Sequence, residues 1–297
     1  MTSCIPTIET RIQSLSQQGR EQFIKLEGKP LFIADWIEAL FIHFEIRPEL
    51  LQPDIPFELD CRHDKAFISL VAFTMRGLRF FRLPRLGSLL TAPIATHPLL
   101  NIRTYVTNRG EPGIFFMREW IPNRLSAWLG PRTFGLPYRA GHLSYQHDQE
   151  LGYVQGLVEP RKTPGRLCYS GRMRDIDPEP ASPGSLEEFL HERYTAYTND
   201  GTRPHLFRIW HEPWLTTPVD LDLHDVSALA QTGTWFHNAK LIGAHYSEGV
   251  EGVWMGRPHQ CTPRVHHEFQ SARHRQRLHP LKRTQFKRDT SQHSDLK

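Results

Sequence analysis

Paired cysteines are missing from this chain. Its four, Cys4, Cys61, Cys168 and Cys261, stand far apart and form no Cys-x-x-Cys. No zinc or thioredoxin-like motif is therefore written locally, and a disulfide framework is out of place in a chain of 297 residues. Buried or inert free thiols are the expectation. Long apolar runs are missing too: no stretch approaches the ~18 unbroken apolar residues of a membrane span. Residues 1–20 are polar and lack the apolar core of a secretory signal. These absences predict a cytoplasmic protein without a membrane partner. There is also no phosphate-cradling glycine loop, no His-Glu-x-x-His, no Gly-x-Ser-x-Gly elbow and no internal repeat. His266-His267 has no carboxylate framework around it, so neither a metal site nor a cofactor is expected.

What is present is a real core interrupted often. Hydrophobic residues make up 39% of the chain, and 23 prolines with 20 glycines argue for many turns and short elements rather than a helical bundle. The formal net charge of +4 is unevenly spread. Residues 258–297 hold 9 Lys/Arg against 3 Asp/Glu, which leaves 27 basic and 29 acidic residues in 1–257. A nucleic-acid footprint is more usually a basic face on the folded domain. A basic tail reads instead as a solvated, disordered end, and nucleic acid is not the expected partner. Three segments follow: an N-terminal appendage (1–30) with one short helix from Thr7 to Phe23, a body (31–257) and a basic, His-rich tail (258–297).

Within the body, strand patterns fall at about 35–46, 56–60, 65–82, 98–108, 113–121, 139–147, 151–159, 165–174, 204–211, 240–246 and 250–255. Phe67 to Met75 is apolar on both faces, as in the middle of a sheet. Two helices stand out. One spans Asn123 to Phe134. The other starts at Ser185, runs to residue 198 and opens with a capping box to Glu188 after the breaker Pro183-Gly184. Many strands with two helices predict a mainly β (α+β) fold, a barrel or sandwich with helical decoration.

Alternation across Leu99–Val106 sorts its side chains onto two faces. Leu100, Ile102, Thr104 and Val106 suit a core, whereas Leu99, Asn101, Arg103 and Tyr105 set an amide, a guanidinium and a phenol in a row. That row is either the solvent side of an antiparallel sheet or a set of convergent groups in a lumen; periodicity alone leaves both open. On the second helix, Glu192 and Arg193 are sequential and point apart, either as a surface pair or with one turned inward beside Tyr194 and Tyr197. His211-Glu212-Pro213-Trp214 offers a group that titrates near neutrality beside an apolar wall, or else a structural turn.

Read in order, several of these stretches resemble the YqjF-like family of uncharacterised bacterial proteins. They are Met75-Arg76-Gly77, Asn101-Ile102-Arg103-Thr104-Tyr105-Val106 with Gly113-Ile114-Phe115-Phe116, Phe134-Gly135-Leu136-Pro137-Tyr138, the Glu-Arg-Tyr core of Phe189–Thr198, and His-x-Pro-Trp at 211–214. The resemblance covers residues 31–257. It implies an antiparallel β-barrel of the acetoacetate-decarboxylase-like type with a few decorating helices and a central cavity, which favours the lumen reading of the Asn101 row. One departure falls after Phe116: Met117, Arg118 and Glu119 stand where a small polar residue, an aliphatic and an aspartate are usual.

Three functions compete. The first is a small-molecule binder, with aromatics (Tyr105, Phe116, Tyr194, Trp214) lining the cavity and Arg103 as anion anchor. The second is an acid–base enzyme on a small keto acid, with Glu192 or Glu119 and His211 moving protons and Arg103 holding a carboxylate. The third is a tail that binds an anionic partner through Arg273, Arg275, Arg277, Lys282, Arg283, Lys287 and Arg288. A Schiff-base mechanism is disfavoured, because the body has only Lys25, Lys29, Lys65, Lys162 and Lys240, none adjacent to another. The candidate ligand-binding set is Asn101, Arg103, Tyr105, Glu119, Glu192, Arg193, Tyr194, His211 and Trp214, with no metal ligand among them. Neither the ligand nor the oligomeric state follows from the sequence.

Overall fold

A computed structural model describes residues 13–199 and 203–263. Cys4, the start of the first expected helix, the basic cluster of the tail and His266-His267 lie outside the described residues. In chain order the elements are α1 (Leu15–Glu27), β1 (Phe32–Ile46), α2 (Pro48–Leu51), β2 (Glu58–Leu59), β3 (Ala66–Phe80), α3 (Pro84–Thr91), β4 (His97–Asn108), β5 (Glu111–Ile121), α4 (Arg124–Thr133), β6 (Tyr138–Asp148), β7 (Tyr153–Pro160), β8 (Leu167–Met173), β9 (Glu179–Pro180), α5 (Leu186–His191), β10 (Thr195–Asn199), β11 (Pro204–Trp210), β12 (Leu215–Asp225), β13 (Lys240–Met255) and β14 (His259–Gln260). Strand dominates, as the short apolar runs predict.

Hydrogen-bonded neighbours run β14-β11-β10-β5-β6-β7-β8-β12-β13-β1-β3-β4-β2. Two extra pairings, β5 with β4 and β13 with β11, turn this path into two closed circuits that share β13, β1, β3, β4 and β5. The sheet is mixed, which corrects the expected antiparallel arrangement. β5 runs parallel to β6, the crossover being made by α4, and parallel to β10.

Because the shared strands are covered on both sides, they separate two cores. On one side Leu40, Ile42, Ile68, Leu70, Leu100 and Ile102 pack with Val154, Val158 and Leu167. On the other Phe41, Phe67, Val71, Tyr105 and Phe116 pack with Leu190, Phe207, Ile209 and Trp214. Two irregularities set which side chains enter which core. In β1, Glu38 takes a left-handed conformation (φ 55°) and the pairing with β3 shifts between Ile37 and Leu40. Ala34 and Ala39 thus face the same side, and Phe41 and His43 follow Ala39 onto it. In β5 the register against β4 shifts so that Phe116 opposes Arg103 and Glu119 opposes Asn101.

Two helical expectations are corrected. The helix expected to run from Ser185 to residue 198 stops at His191; Glu192 leaves the helical region, and Thr195–Asn199 is a strand between β5 and β11. Pairing on both sides outweighs the helical spacing of Leu190, Tyr194 and Tyr197. Its N-terminal cap forms at Ser185 as read, with Glu188 N donating to Ser185 Oγ (3.0 Å), but the Glu188 carboxylate accepts from Gly184 N (2.6 Å) rather than from Ser185 N, which donates to Ser182 O. The segment before residue 31, read as an appendage, carries α1 docked on the body. Phe23 is fully buried against Trp254, Trp210 Nε1 donates to Ser16 O (3.1 Å) and Ser16 Oγ to His211 O (2.8 Å). A Cβ on Gly19 would lie 2.5 Å from the Tyr194 ring, so glycine permits this close approach. Cys61, Cys168 and Cys261 are free thiols, none of them buried, and Cys61 is exposed. No helix among the described residues is long and apolar enough to cross a membrane.

Candidate functional site

The Asn101 row faces the second core, not solvent. Asn101, Arg103 and Tyr105 are buried, with only 5, 6 and 1% of their surface exposed. Tyr105 Oη and Arg103 Nη2 both donate to the carbonyl of Leu190 in α5, at 2.8 and 3.0 Å. The guanidinium also lies 5.7 Å from the centre of the Phe41 ring. Among the described residues no carboxylate forms an ion pair with Arg103, and its Nε has no hydrogen-bond partner. The Glu192 carboxylate lies near enough to feel this charge but makes no ion pair with it, and a buried cation with no contacting counter-ion is unusual enough to ask for an anion.

A second unit forms where the chain leaves α5. Glu192 Oε1 accepts from Trp214 N (3.0 Å), and Tyr194 Oη donates to Glu192 Oε2. The His211 ring lies 4.9 Å from Tyr194 and 5.3 Å from Trp214, centre to centre. His211 Nδ1 donates to Glu212 O (2.7 Å), which leaves Nε2 as the lone-pair nitrogen. Burial holds His211 down at about 4 and pushes Glu192 up to about 7, the latter against the opposing pull of its bonds to Tyr194 and Trp214. At the far end of the row, Glu119 opposes Asn101, and neither Glu119 Oε2 nor Asn101 Oδ1 has a partner. Burial raises the Glu119 carboxyl to about 8.

Arg193 does not join these groups. It is paired with Asp60 (2.9 Å) and lies over the Phe189 ring at 4.1 Å, a structural commitment. Arg118, the unusual residue of β5, opposes Ile102 and so sits on the other side of its strand from Glu119.

Residues that sequence reading passed over complete the picture. His43 and Ser69 lie on the same side as Arg103, and His191 ends α5. His43 Nδ1 lies 2.7 Å from Ser69 Oγ, which lies 2.6 Å from Tyr105 Oη. His43 Nε2 lies 3.2 Å from His191 Nε2, and His245 of β13 stands beside both. The ligating nitrogens of the three histidines fall within 4.8 Å of one another. Burial first, then mutual repulsion and Arg103, holds His43 and His191 well below the usual histidine range. No sequence spacing links these three histidines; the fold supplies their proximity. A local signal did exist, since His43 and Ser69 are polar interruptions of otherwise doubly apolar strands. Two surface grooves, one lined by Asn108, Glu111, Tyr197 and Leu206 and the other by Ile37, His147 and Tyr246, lie away from this group.

With the geometry in place, the fold can be compared with known ones. The acetoacetate decarboxylase-like enzyme from Sphingomonas wittichii RW1 superimposes with a TM-score of 0.57 at 14% identity, covering 80% of this chain and 95% of that one. Acetoacetate decarboxylase from Legionella pneumophila gives 0.55 at 13% identity (78% and 88%). The enduracididine biosynthesis enzyme MppR complexed with pyruvate gives 0.53 at 15% identity (86% and 94%). At such identities the likeness establishes the fold: a β-rich, acetoacetate-decarboxylase-like architecture.

The chain belongs to the DUF2071 family of uncharacterized conserved proteins, whose profile matches residues 33–251. It is 33% identical over 192 residues to the uncharacterized protein YqjF of Bacillus subtilis (strain 168), covering 63% of this chain and 76% of YqjF.

Proposed function

We propose that this protein binds a small carboxylate-bearing molecule in the polar interior of a β-barrel, with Arg103 as the anion anchor. The barrel reading rests on the closed strand circuits. The observation that carries the ligand reading is Arg103 itself: buried, aimed by the Leu190 carbonyl and lacking a carboxylate partner among the described residues. A bound carboxylate supplies the missing charge through the planar fork of the guanidinium. Phe41, Tyr105 and Trp214 supply the apolar wall such sites use. The names of the fold relatives, acetoacetate decarboxylase and a pyruvate complex, point to keto acids as the first compounds to test.

Turnover by proton transfer is a second reading, favoured by the way Trp214 N and Tyr194 Oη hold the Glu192 carboxylate in one orientation. A lysine is not part of it. Lys25, Lys29, Lys162 and Lys240 are exposed and Lys65 is half-buried, so none resembles a desolvated nucleophile.

Calorimetric titration with pyruvate and acetoacetate, with acetone as the uncharged control, tests the binding reading. Carboxylates are expected to bind and acetone not to. Arg103→Ala is expected to lower carboxylate affinity at least tenfold, about 1.5–3 kcal/mol, while the far-UV spectrum is unchanged. No heat with either acid, or equal affinity in the variant, removes Arg103 as an anchor. For turnover, deuterium exchange into the methyl group of pyruvate should be lost in Glu192→Gln; failure of the wild-type protein to exchange restricts it to binding.

A further inference from the structure

We propose that His43, His191 and His245 form a binding site for a single divalent transition-metal ion, zinc being the natural occupant, with one coordination position open toward the interior. Three neutral imidazoles are a common protein set for such an ion, and a fourth position left to water or a ligand is the pattern of reactive rather than structural sites. The spacing agrees. Three imidazoles held tetrahedrally at a zinc–nitrogen distance of about 2.0–2.1 Å place their ligating nitrogens about 3.3 Å apart and their ring centres about 5.2 Å apart. Here the three ring centres are 5.2, 5.5 and 5.1 Å apart, and His43 Nε2 lies 3.2 Å from His191 Nε2. The ring centres form a near-equilateral triangle; the ligating nitrogens, which span up to 4.8 Å, draw together by side-chain rotation to reach the about 3.3 Å of a bound ion.

The hydrogen bonds fix the chemistry of one ligand without reference to any metal. The Leu190 carbonyl can only accept, so Tyr105 Oη donates to it (2.8 Å). With its proton so committed, Tyr105 Oη accepts from Ser69 (2.6 Å), and Ser69 in turn accepts from His43 Nδ1–H (2.7 Å). His43 Nε2 is then a lone pair, and it faces the other histidines. A hydroxyl that holds the distal nitrogen of a ligating histidine is the usual outer partner of a metal site. Two further facts fit. A hydrogen bond between His43 Nε2 and His191 Nε2 accounts for one contact of the trio, but His191 Nδ1 and His245 Nδ1 stay buried without a hydrogen-bond partner. His43 and His191 are buried while His245 is half-buried, so the trio approaches the surface on the His245 side. A dipositive ion beside the Arg103 cation would favour an anion at the open position, but the site does not depend on the carboxylate reading.

The full-length protein, stripped with a chelator, is to be titrated with Co2+ alone. One equivalent should bind with the intense visible bands of a four-coordinate ion and be displaced by Zn2+. His191→Ala and His245→Ala should each abolish those bands. Ser69→Ala should weaken binding 10–100-fold through the unfixed His43 ring. The double variant His266→Ala/His267→Ala, which removes adjacent histidines outside the site, should bind like wild type. The site is refuted by any one of three results: Co2+ uptake without four-coordinate bands, bands that survive in His245→Ala, or bands lost in the double variant. Should His191→Ala not fold, the half-buried His245→Ala decides alone. Ser69→Ala with unchanged affinity refutes the hydroxyl relay. Because Co2+ is tested without an organic acid, failure of the carboxylate reading leaves this result intact.

Discussion

The two cores share strands yet differ in what fills them. Leu100 and Ile102 enter one; Asn101 and Arg103, their immediate neighbours, enter the other. In the first, the polar groups that enter are partnered: Tyr169 Oη and His147 Nε2 are 2.9 Å apart, His147 Nδ1 is 2.8 Å from Glu38 O, and Tyr145 Oη donates to Leu99 O (2.9 Å). Trp235 Nε1 and Arg118 Nε, the latter opposite Ile102, are exceptions there. In the second, Asn101 Oδ1, Arg103 Nε, Glu119 Oε2, His191 Nδ1 and His245 Nδ1 are all buried and unpartnered. An unpartnered buried polar atom costs about 1–3 kcal/mol. The contrast teaches a division of labour by side-chain parity: one face of each shared strand stabilises the fold, and the other carries polar groups at a stability cost. A one-residue slip would exchange the two sets, which is why the irregularities at Glu38 and in β5 matter.

If that division holds, the largest effect belongs to the hydrocarbon side. Leu70→Ala removes a fully buried side chain from the first core and is expected to cost about 2–5 kcal/mol. Urea denaturation reads this directly, and a cost below about 1 kcal/mol would mean that the first core is not the stabilising one.

Next in size is Glu119→Gln, with a sign that depends on pH. The folded-state carboxyl titrates at about 8 against 4.5 when unperturbed, so the folded protein holds a proton that the unfolded chain has released. The stability this adds is complete below about pH 4.5 and is lost as pH rises toward 8. Each tenfold difference in proton affinity is about 1.4 kcal/mol, so wild type should weaken by a few kcal/mol across that window. Glutamine mimics the protonated form at every pH. The variant should match wild type near pH 4 and melt at a clearly higher temperature at pH 8. Parallel melting curves at both pH values would show that Glu119 is ionised and solvated.

Arg103→Met should change stability by a smaller amount and in the unusual direction, raising it by about 1 kcal/mol, because a buried charge without an ion-pair partner gives way to hydrocarbon. Loss of the carboxylate site should accompany the gain. A fall of several kcal/mol would instead make Arg103 a structural residue and erase the contrast with Ile102 beside it.

Much of this was legible in the sequence because alternation survives translation into structure. The split of Leu99–Val106 into two faces was readable, and so was the Ser185 cap. Other parts were hidden for identifiable reasons. The strand Thr195–Asn199 follows a true helix and continues its apolar spacing, so only pairing with β5 and β11 reveals it. β12 alternates Val219, Leu221 and Leu223 with Asp220, Asp222 and His224, a strand signature that Pro218 obscures. The histidine trio comes from residues 43, 191 and 245, and no spacing rule joins positions that only the circuit of strands brings together.

The smallest predicted effect falls on the element that links the two halves of the second core. α5 is short, yet it presents the Leu190 carbonyl to Arg103 and Tyr105 and places His191 against His43. A six-residue helix has little stability of its own, so its cap matters out of proportion to its single hydrogen bond. Ser185→Ala removes the bond to Glu188 N and is expected to cost about 1 kcal/mol. The loss should be local: amide exchange should speed up in 186–192 while β3 and β4 stay protected. If exchange instead rises equally throughout the shared strands, the second core is not a separable layer on a stable first one. The two faces would then unfold as a single unit.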